Sequence, residues 1–390
     1  MFNNPFDKKI ARPEDTDPKQ NRDLIDTLLG SDVAAEFENL TKNSFGVQKD
    51  RGVTIAARAK EAVAAHDALL KKIEEAKAEH FFSVELGEQF DEQIEMLFEL
   101  GLLQGKEGGE YWISAVDKKS YTAPTKEAIR AYFSAPERAD FIKEKIAQGF
   151  TKLQITPFGT SLIYIEQIFN DVLQRQYEQG ELYVDHHPIR FTEDGPPSVW
   201  TEPDLSNADV TRNIFYYPEL ADTSSHEVQE ARAKFEILQD TAQPFPGFNV
   251  LLLQKERALQ PEGYGVETRK RPPLPVGKSP IEYLKMLQDK NSPYFGETGL
   301  TLEDSFTQFI LEVHRWHEIM DTHINAAGND DGVRNLCIAS FETIRVDDAS
   351  PINYGGVPLI CWDHVNKVIN VDEISTKLSN ERWGLRTGVK

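Results

Sequence analysis

The chain is short of cysteine, of positive charge and of long apolar runs, and each shortage excludes something. Only Cys337 and Cys361 occur in 390 residues. Two thiols make no disulfide framework, so the pair reads as two buried reduced thiols. Lys and Arg number 43 against 64 Asp and Glu, a formal net charge of -21. A surface of that sign repels phosphate backbones and anionic lipid, which argues against nucleic-acid and membrane partners. No run approaches the roughly 18 apolar residues that a membrane-spanning helix needs. Met1 to Ile10 has no apolar signal-peptide segment. The expected location is cytoplasmic, or exported or virion-associated without a signal peptide. Also missing are a Gly-x-Gly-x-x-Gly after a strand, a Gly-Lys-Ser/Thr phosphate loop and a Gly-x-Ser-x-Gly. Nucleotide binding and serine-hydrolase chemistry have no local support.

What is present is apolar mass: 39% hydrophobic residues, with 22 Phe and 12 Tyr. That suffices for real cores. At roughly 100–200 residues per domain the length predicts two or three domains. The expected fold class is α+β. It comprises a loose arm over 1–20, a helical region with a winged-helix-like tail over 21–144, a central mixed α/β domain over 145–328, and a small β-rich C-terminal module over 329–390.

Periodicity supplies the elements. Leu24, Ile25, Leu28, Leu29 and Val33 have helical spacing. Ile55 to His80 alternates Glu and Lys around a narrow apolar stripe, as an exposed helix of a hairpin or packed pair does. A stripe from Phe90 to Leu103, a Gly-rich turn and Tyr111-Trp112-Ile113 outline helix, turn and strand. That helix carries Glu88, Asp91, Glu92, Glu95 and Glu99, the wrong sign for DNA. Helices are expected over 125–150, 162–179, 280–289 and 301–324, with Ser279-Pro280-Ile281-Glu282 as an N-terminal cap. Phe248 to Leu253 reads as a buried central strand. Arg269 to Pro275 reads as a basic surface loop. Short strands fill the last 60 residues.

Candidate chemistry is sparse. His314, His317, Glu318 and Asp321 share one face of a continuous helix, so His314, His317 and Asp321 are candidate ligands for a divalent metal. Another ligand would have to come from elsewhere. Asp185-His186-His187 is a weaker ligand pair, because adjacent strand residues face opposite ways. Asn329-Asp330-Asp331-Gly332 reads as a helix-ending turn, lacking the alternating oxygens of a calcium loop. Cys361, Asp363 and His364 contain thiol-nucleophile residue types.

Three blocks resemble a group of uncharacterised bacterial proteins: Gln148 to Gly159, Ser279 to Gln288, and Gly299 to Asp304. The ending, Val357-Pro358-Leu359-Ile360-Cys361-Trp362 and then Trp383-Gly384-Leu385-Arg386, resembles the C-type-lectin-like fold. That fold is shared by formylglycine-generating-enzyme-type proteins and variable proteins of diversity-generating retroelements. The scattered blocks cover about 145–390. The resemblance implies a ligand-binding surface on Trp362, Asp363, His364, Asn366, Asn370 and Trp383, with Arg386 pinning loops. Asn366 to Asn380 has no dense run of Tyr, Trp and Asp, and Thr387-Gly388 stands where the pattern has Pro-Ala or a similar pair. Cys337 and Cys361 do not match a copper-binding pair, so the enzyme's activity is not implied. The expected function is non-catalytic recognition of a protein or carbohydrate ligand, without a resident cofactor. The alternatives are a structural or assembly protein of a phage-like particle, and a metal-dependent enzyme on the His314/His317 helix.

Overall fold

A computed structural model describes residues 55–105, 109–184, 186–189, 195–201, 214–220, 228–229, 231–255, 259, 263–268, 271–321, 333–344, 353–363 and 366–390. The expected loose arm, the helix near 21–40, Asp185, the Asn329–Gly332 turn and His364 lie outside them. The chain parts into two compact units between Ser83 and Val84. In the first, α1 (Ile55–His80) is one 26-residue helix. Its exposed face is charged, with Lys71 3.9 Å from Glu75 one turn on.

The second unit opens with α2 (Leu86–Glu99), which buries Leu86, Ile94 and Leu97 on one stripe. A small antiparallel sheet follows: β1 (Gln104–Gly105), β2 (Tyr111–Ser114) and β3 (Ser120–Thr122). The helix expected over 125–150 is two, α3 (Lys126–Phe133) and α4 (Ala139–Ala147). Pro136 stands in the break, where a helix interior would lose a hydrogen bond and meet the ring.

A four-stranded antiparallel sheet lies at the centre. Its strands are β4 (Phe150–Thr156), β12 (Asn249–Gln254), β13 (Thr298–Gly299) and β20 (Thr387–Val389), in the order β13-β20-β12-β4. Every residue of β12 is buried, as its continuous apolar run requires. Against the sheet's β4 edge packs α8 (Leu302–Trp316), and against α8 in turn packs α5 (Leu162–Glu178), which ends at Gly180 with φ 70°. Helix α8 is buried from Leu302 through Val313. Phe306 and Phe309 meet Phe169 of α5 at ring separations of 6.1 and 6.2 Å.

The second sheet has eight strands: β7 (Ser198–Thr201), β8 (Ile214–Tyr216), β11 (Arg232–Ala233), β15 (Arg334–Leu336), β16 (Ser340–Ile344), β17 (Asn353–Asp363), β18 (Val368–Ser375) and β19 (Trp383–Gly384). β17 and β18 form its long hairpin, and β7 adds parallel to β18. α7 (Pro280–Gln288) packs Ile281, Leu284 and Leu287 into a core with Val357, Leu359 and Trp383. Short pairs complete the unit: β5 (Tyr183–Val184), β6 (His187–Pro188) and β14 (Glu318–Ile319) in one sheet, and β9 (Glu219–Leu220) with β10 (Val228–Gln229) in another. α6 (Lys234–Gln239) follows β11.

The architecture is therefore mixed α+β. The boundary expected at 328/329 does not separate two modules. β16 pairs with β8, β18 with β7, and β20 with both β12 and β13, so strands from either side share both sheets. The basic surface loop is also corrected at Arg271. That guanidinium is fully buried, because Glu297 receives it with two hydrogen bonds of 2.7 and 2.9 Å.

Candidate binding face

Alternation along β7, β17 and β18 divides the candidate residues between two faces. Residues directly paired across strands point the same way. Trp362 pairs with Ile369, and Ile360 with Val371, on the inner face. Val199 lies level with Ile369 there, and its N–H donates to Asn170 of α5 at 2.7 Å. Asn370 pairs with Cys361 and lies level with Trp200, while Val368 pairs with Asp363, all on the outer face. Toward Val357 and Leu359 this outer face is covered by the α7 core. At the other end it opens: Trp200 is 48% exposed, and Asn370 and Asp363 are part-exposed, as is Asp372 level with Leu359.

The hairpin tip is tied by Asp363. Its Oδ1 accepts the Asn366 N–H at 3.0 Å, and its Oδ2 accepts from the Asn366 amide at 2.8 Å. Such an Asx-type bond fixes a turn locally. Asp363, Asn366 and Asn370 thus lie along one hairpin, as the sequence arranged them. The two tryptophans expected beside them do not. Trp362 is 5% exposed on the inner face, and Trp383 is 8% exposed in the α7 core. Each large ring is worth more inside than the loop position allowed for. The exposed indole comes instead from Trp200, which lies outside the lectin-like blocks. The Ser198-Val199-Trp200-Thr201 alternation was its signal.

Arg386 is fully buried and donates to Asp321 through Nη2, with its ring-ward side over Tyr264. Asp321 also accepts the Leu259 N–H at 2.8 Å. Burial raises the Asp321 carboxyl, and Arg386 opposes that rise. The pair ties the chain near residue 321 to the tail.

The proposed metal ligands separate. Helix α8 stops at Trp316, and His317 takes a left-handed φ of 59° as its cap. Its carbonyl accepts the Tyr183 N–H at 2.7 Å, and β14 then pairs parallel to β5. That strand pairing ends the helix, so the assumed face does not exist. His314 lies 3.7 Å from Glu99, His317 Nδ1 meets Gln176, and Asp321 faces Arg386. Among the described residues no group of three His, Cys, Asp or Glu is arranged to hold a metal. His186 Nδ1 lies 2.8 Å from Glu318 Oε1 on an exposed turn. Both cysteines are buried free thiols. Burial pushes the Cys337 thiol up to about 12, so it is not a poised thiolate.

A second polar concentration surrounds the start of α8. Thr301 and Asp304 form a capping box, and Asn249 donates to both Asp304 oxygens at 3.1 and 3.3 Å. Tyr217 donates to Asn249 at 2.7 Å. Tyr216 donates to Glu303 at 2.6 Å, and Lys234 lies 3.0 Å from the same oxygen. Tyr217 has a left-handed φ of 55°, costly for a bulky residue. It also lines a cleft of about 140 Å³ with Leu284, Leu287, Gln288, Glu297 and Ile338.

Among the described residues no helix is long and apolar enough to cross a membrane. Comparison with protein-family models, with curated proteins and with solved structures finds no match.

Proposed function

We propose that the protein is a non-catalytic recognition protein whose outer β7–β18–β17 face binds a carbohydrate. The observation that carries this reading is the 48% exposed Trp200 level with Asn370, beside part-exposed Asp372 and Asp363. An indole offers a flat apolar surface that suits the C–H face of a sugar ring. Amide and carboxylate side chains beside it donate to and accept from hydroxyls. The strands hold that set rigid, which lowers the ordering cost of binding. The likeness of the Val357–Trp362 and Trp383–Arg386 blocks to C-type-lectin-like modules supports the same reading.

The test is a glycan array followed by titration of the best oligosaccharide, read by tryptophan fluorescence and calorimetry. Trp200→Ala is expected to weaken binding at least about tenfold, equivalent to about 1.4 kcal/mol. Its melting temperature should stay near that of the parent, because the ring is exposed. Undiminished binding by Trp200→Ala would refute the assignment. So would binding to a glycoprotein that survives complete enzymatic deglycosylation, which would make the ligand a protein.

A further inference from the structure

The turn that joins β8 to β9 is strained, and several elements hold it. Tyr217 keeps its left-handed φ of 55°, and Pro218 fixes the next φ. The Tyr217 N–H donates to the Ala339 carbonyl at 2.9 Å, and its hydroxyl to Asn249 of β12 at 2.7 Å. From α7, the Gln288 amide donates to the Pro218 carbonyl at 3.1 Å and accepts the Leu220 N–H at 3.0 Å. What this turn builds is one wall of the cleft of about 140 Å³. Leu284, Leu287 and Ile338, all buried, give the cleft an apolar floor, and Glu219, exposed, stands at its mouth. Two carboxylates line it, and they differ. Both oxygens of Glu297 are taken up by Lys145, Arg271 and Thr387. The Glu219 side chain has no hydrogen bond or ion pair among the described residues. Lys145 and Arg271 are buried against Glu297 and do not line the cleft, so its accessible charge is that of Glu219.

We infer that this cleft binds a small primary amine, its apolar body on Leu284, Leu287 and Ile338 and its ammonium on Glu219. The inference does not rest on the carbohydrate reading, whose face lies on other strands. Size sets the body: an apolar cavity of about 150 Å³ accepts one benzene ring, and this cleft is close to that. Chemistry sets the head. An unengaged carboxylate beside an apolar floor matches a ligand with one cationic end and one greasy end, and a neutral or anionic head would forgo the pairing. The braced turn presents Glu219 in advance of binding, which lowers the ordering cost. Burial of the ring carries most of the affinity. The ion pair, at an open mouth and screened by water, adds selectivity of a few-fold.

The isotope-labelled full chain is titrated at neutral pH with benzylamine, benzyl alcohol and methylamine, and binding is read from amide chemical shifts. Benzylamine should saturate, moving the amides of Thr298, Gly299 and Ala339. It should bind a few-fold tighter than benzyl alcohol, which lacks the charge. It should bind at least about tenfold tighter than methylamine, which lacks the ring. Glu219→Gln, at an exposed position, should bring benzylamine down to the level of benzyl alcohol and leave benzyl alcohol unchanged. Benzylamine no tighter than methylamine would show attraction to the net charge of the chain alone and would overturn the inference. So would equal binding of benzylamine and benzyl alcohol, shifts confined to other parts of the fold, or a preference that survives Glu219→Gln. The shift map and the three-ligand comparison on the unmodified protein decide the matter even if the variant fails to fold.

Discussion

Glu297 shows how single residues hold this fold. Its Oε1 accepts from Lys145 at 2.9 Å and Arg271 Nε at 2.7 Å, while Oε2 accepts from Arg271 Nη2 at 2.9 Å and Thr387 at 2.6 Å. All three charged groups are buried. Removing the carboxylate leaves two cations in the interior, which costs about 3–5 kcal/mol. Glu297→Ala is therefore expected to lower the urea midpoint sharply, whereas Glu219→Ala on the exposed rim should change it little. Gly247 makes a second residue-scale case. Its φ is 80°, and an added Cβ would come 2.7 Å from the Tyr121 ring. Tyr121 is itself pinned to Asp117 and to the Leu238 carbonyl, at 2.8 and 2.9 Å. Gly247→Ala should destabilise through both strain and overlap, by about 1–3 kcal/mol in the same assay. Little of this was legible beforehand. Arg271 read as a surface residue because its neighbours are basic and proline-rich, and its partner lies 26 positions away. The surface role of Trp362 and Trp383 came from the lectin-like resemblance alone, while their ring size already suits a core; alternation shows that residues change sides, and only the packing partner says which side is wet.

Elements were more legible, because their signals are local. The Ser279 box forms as the residues specify: Glu282 accepts the Ser279 N–H at 2.8 Å, and Ser279 accepts the Glu282 N–H at 3.3 Å. Ser279→Ala should cost about 1 kcal/mol. The box also has a pH signature. Hydrogen bonds from the Ser279 backbone and side chain hold the Glu282 carboxyl below its ordinary value. Its stabilisation is thus complete above that ordinary value and is lost as pH falls through the depressed one. Glu282→Gln should flatten that part of the stability–pH curve, measured by urea unfolding from neutral to acidic pH; because Glu282 is exposed, the effect is small. Elements failed where a distant segment intervened. The His-Glu-Asp pattern after Trp316 continues helically in sequence, yet β5 offers a parallel strand and captures Glu318 and Ile319. The metal reading fell with that helix turn.

At the scale of the molecule, the tail is the part most at odds with a modular reading. β20 is an interior strand of the four-stranded sheet, so Leu252 and Leu253 of β12 pair with Val389 and Gly388 from the far end of the sequence. The neighbouring residues reinforce it, Thr387 on Glu297 and Arg386 on Asp321. The pattern turns to short strands over the last 60 residues, but sheet neighbours are chosen by hydrogen bonding across the fold, and no local pattern records that choice. A consequence follows for unfolding. If 329–390 were a separate module, its buried Trp362 and Trp383 would report one transition and the helices another. Sharing two sheets, the strands of Val84–Lys390 cannot leave without exposing unpaired edges and the core beneath α8. Urea unfolding should accordingly give coincident midpoints by tryptophan fluorescence and by far-ultraviolet dichroism once the α1 contribution is subtracted. A chain stopped at residue 328 lacks the β18 partner of β7, the β20 partner of β13, and one of the two neighbours of β8 and of β12, and should show no cooperative transition. Two separated midpoints, or a folded 84–328 fragment, would mean that these strand pairings contribute less than the geometry of both sheets requires.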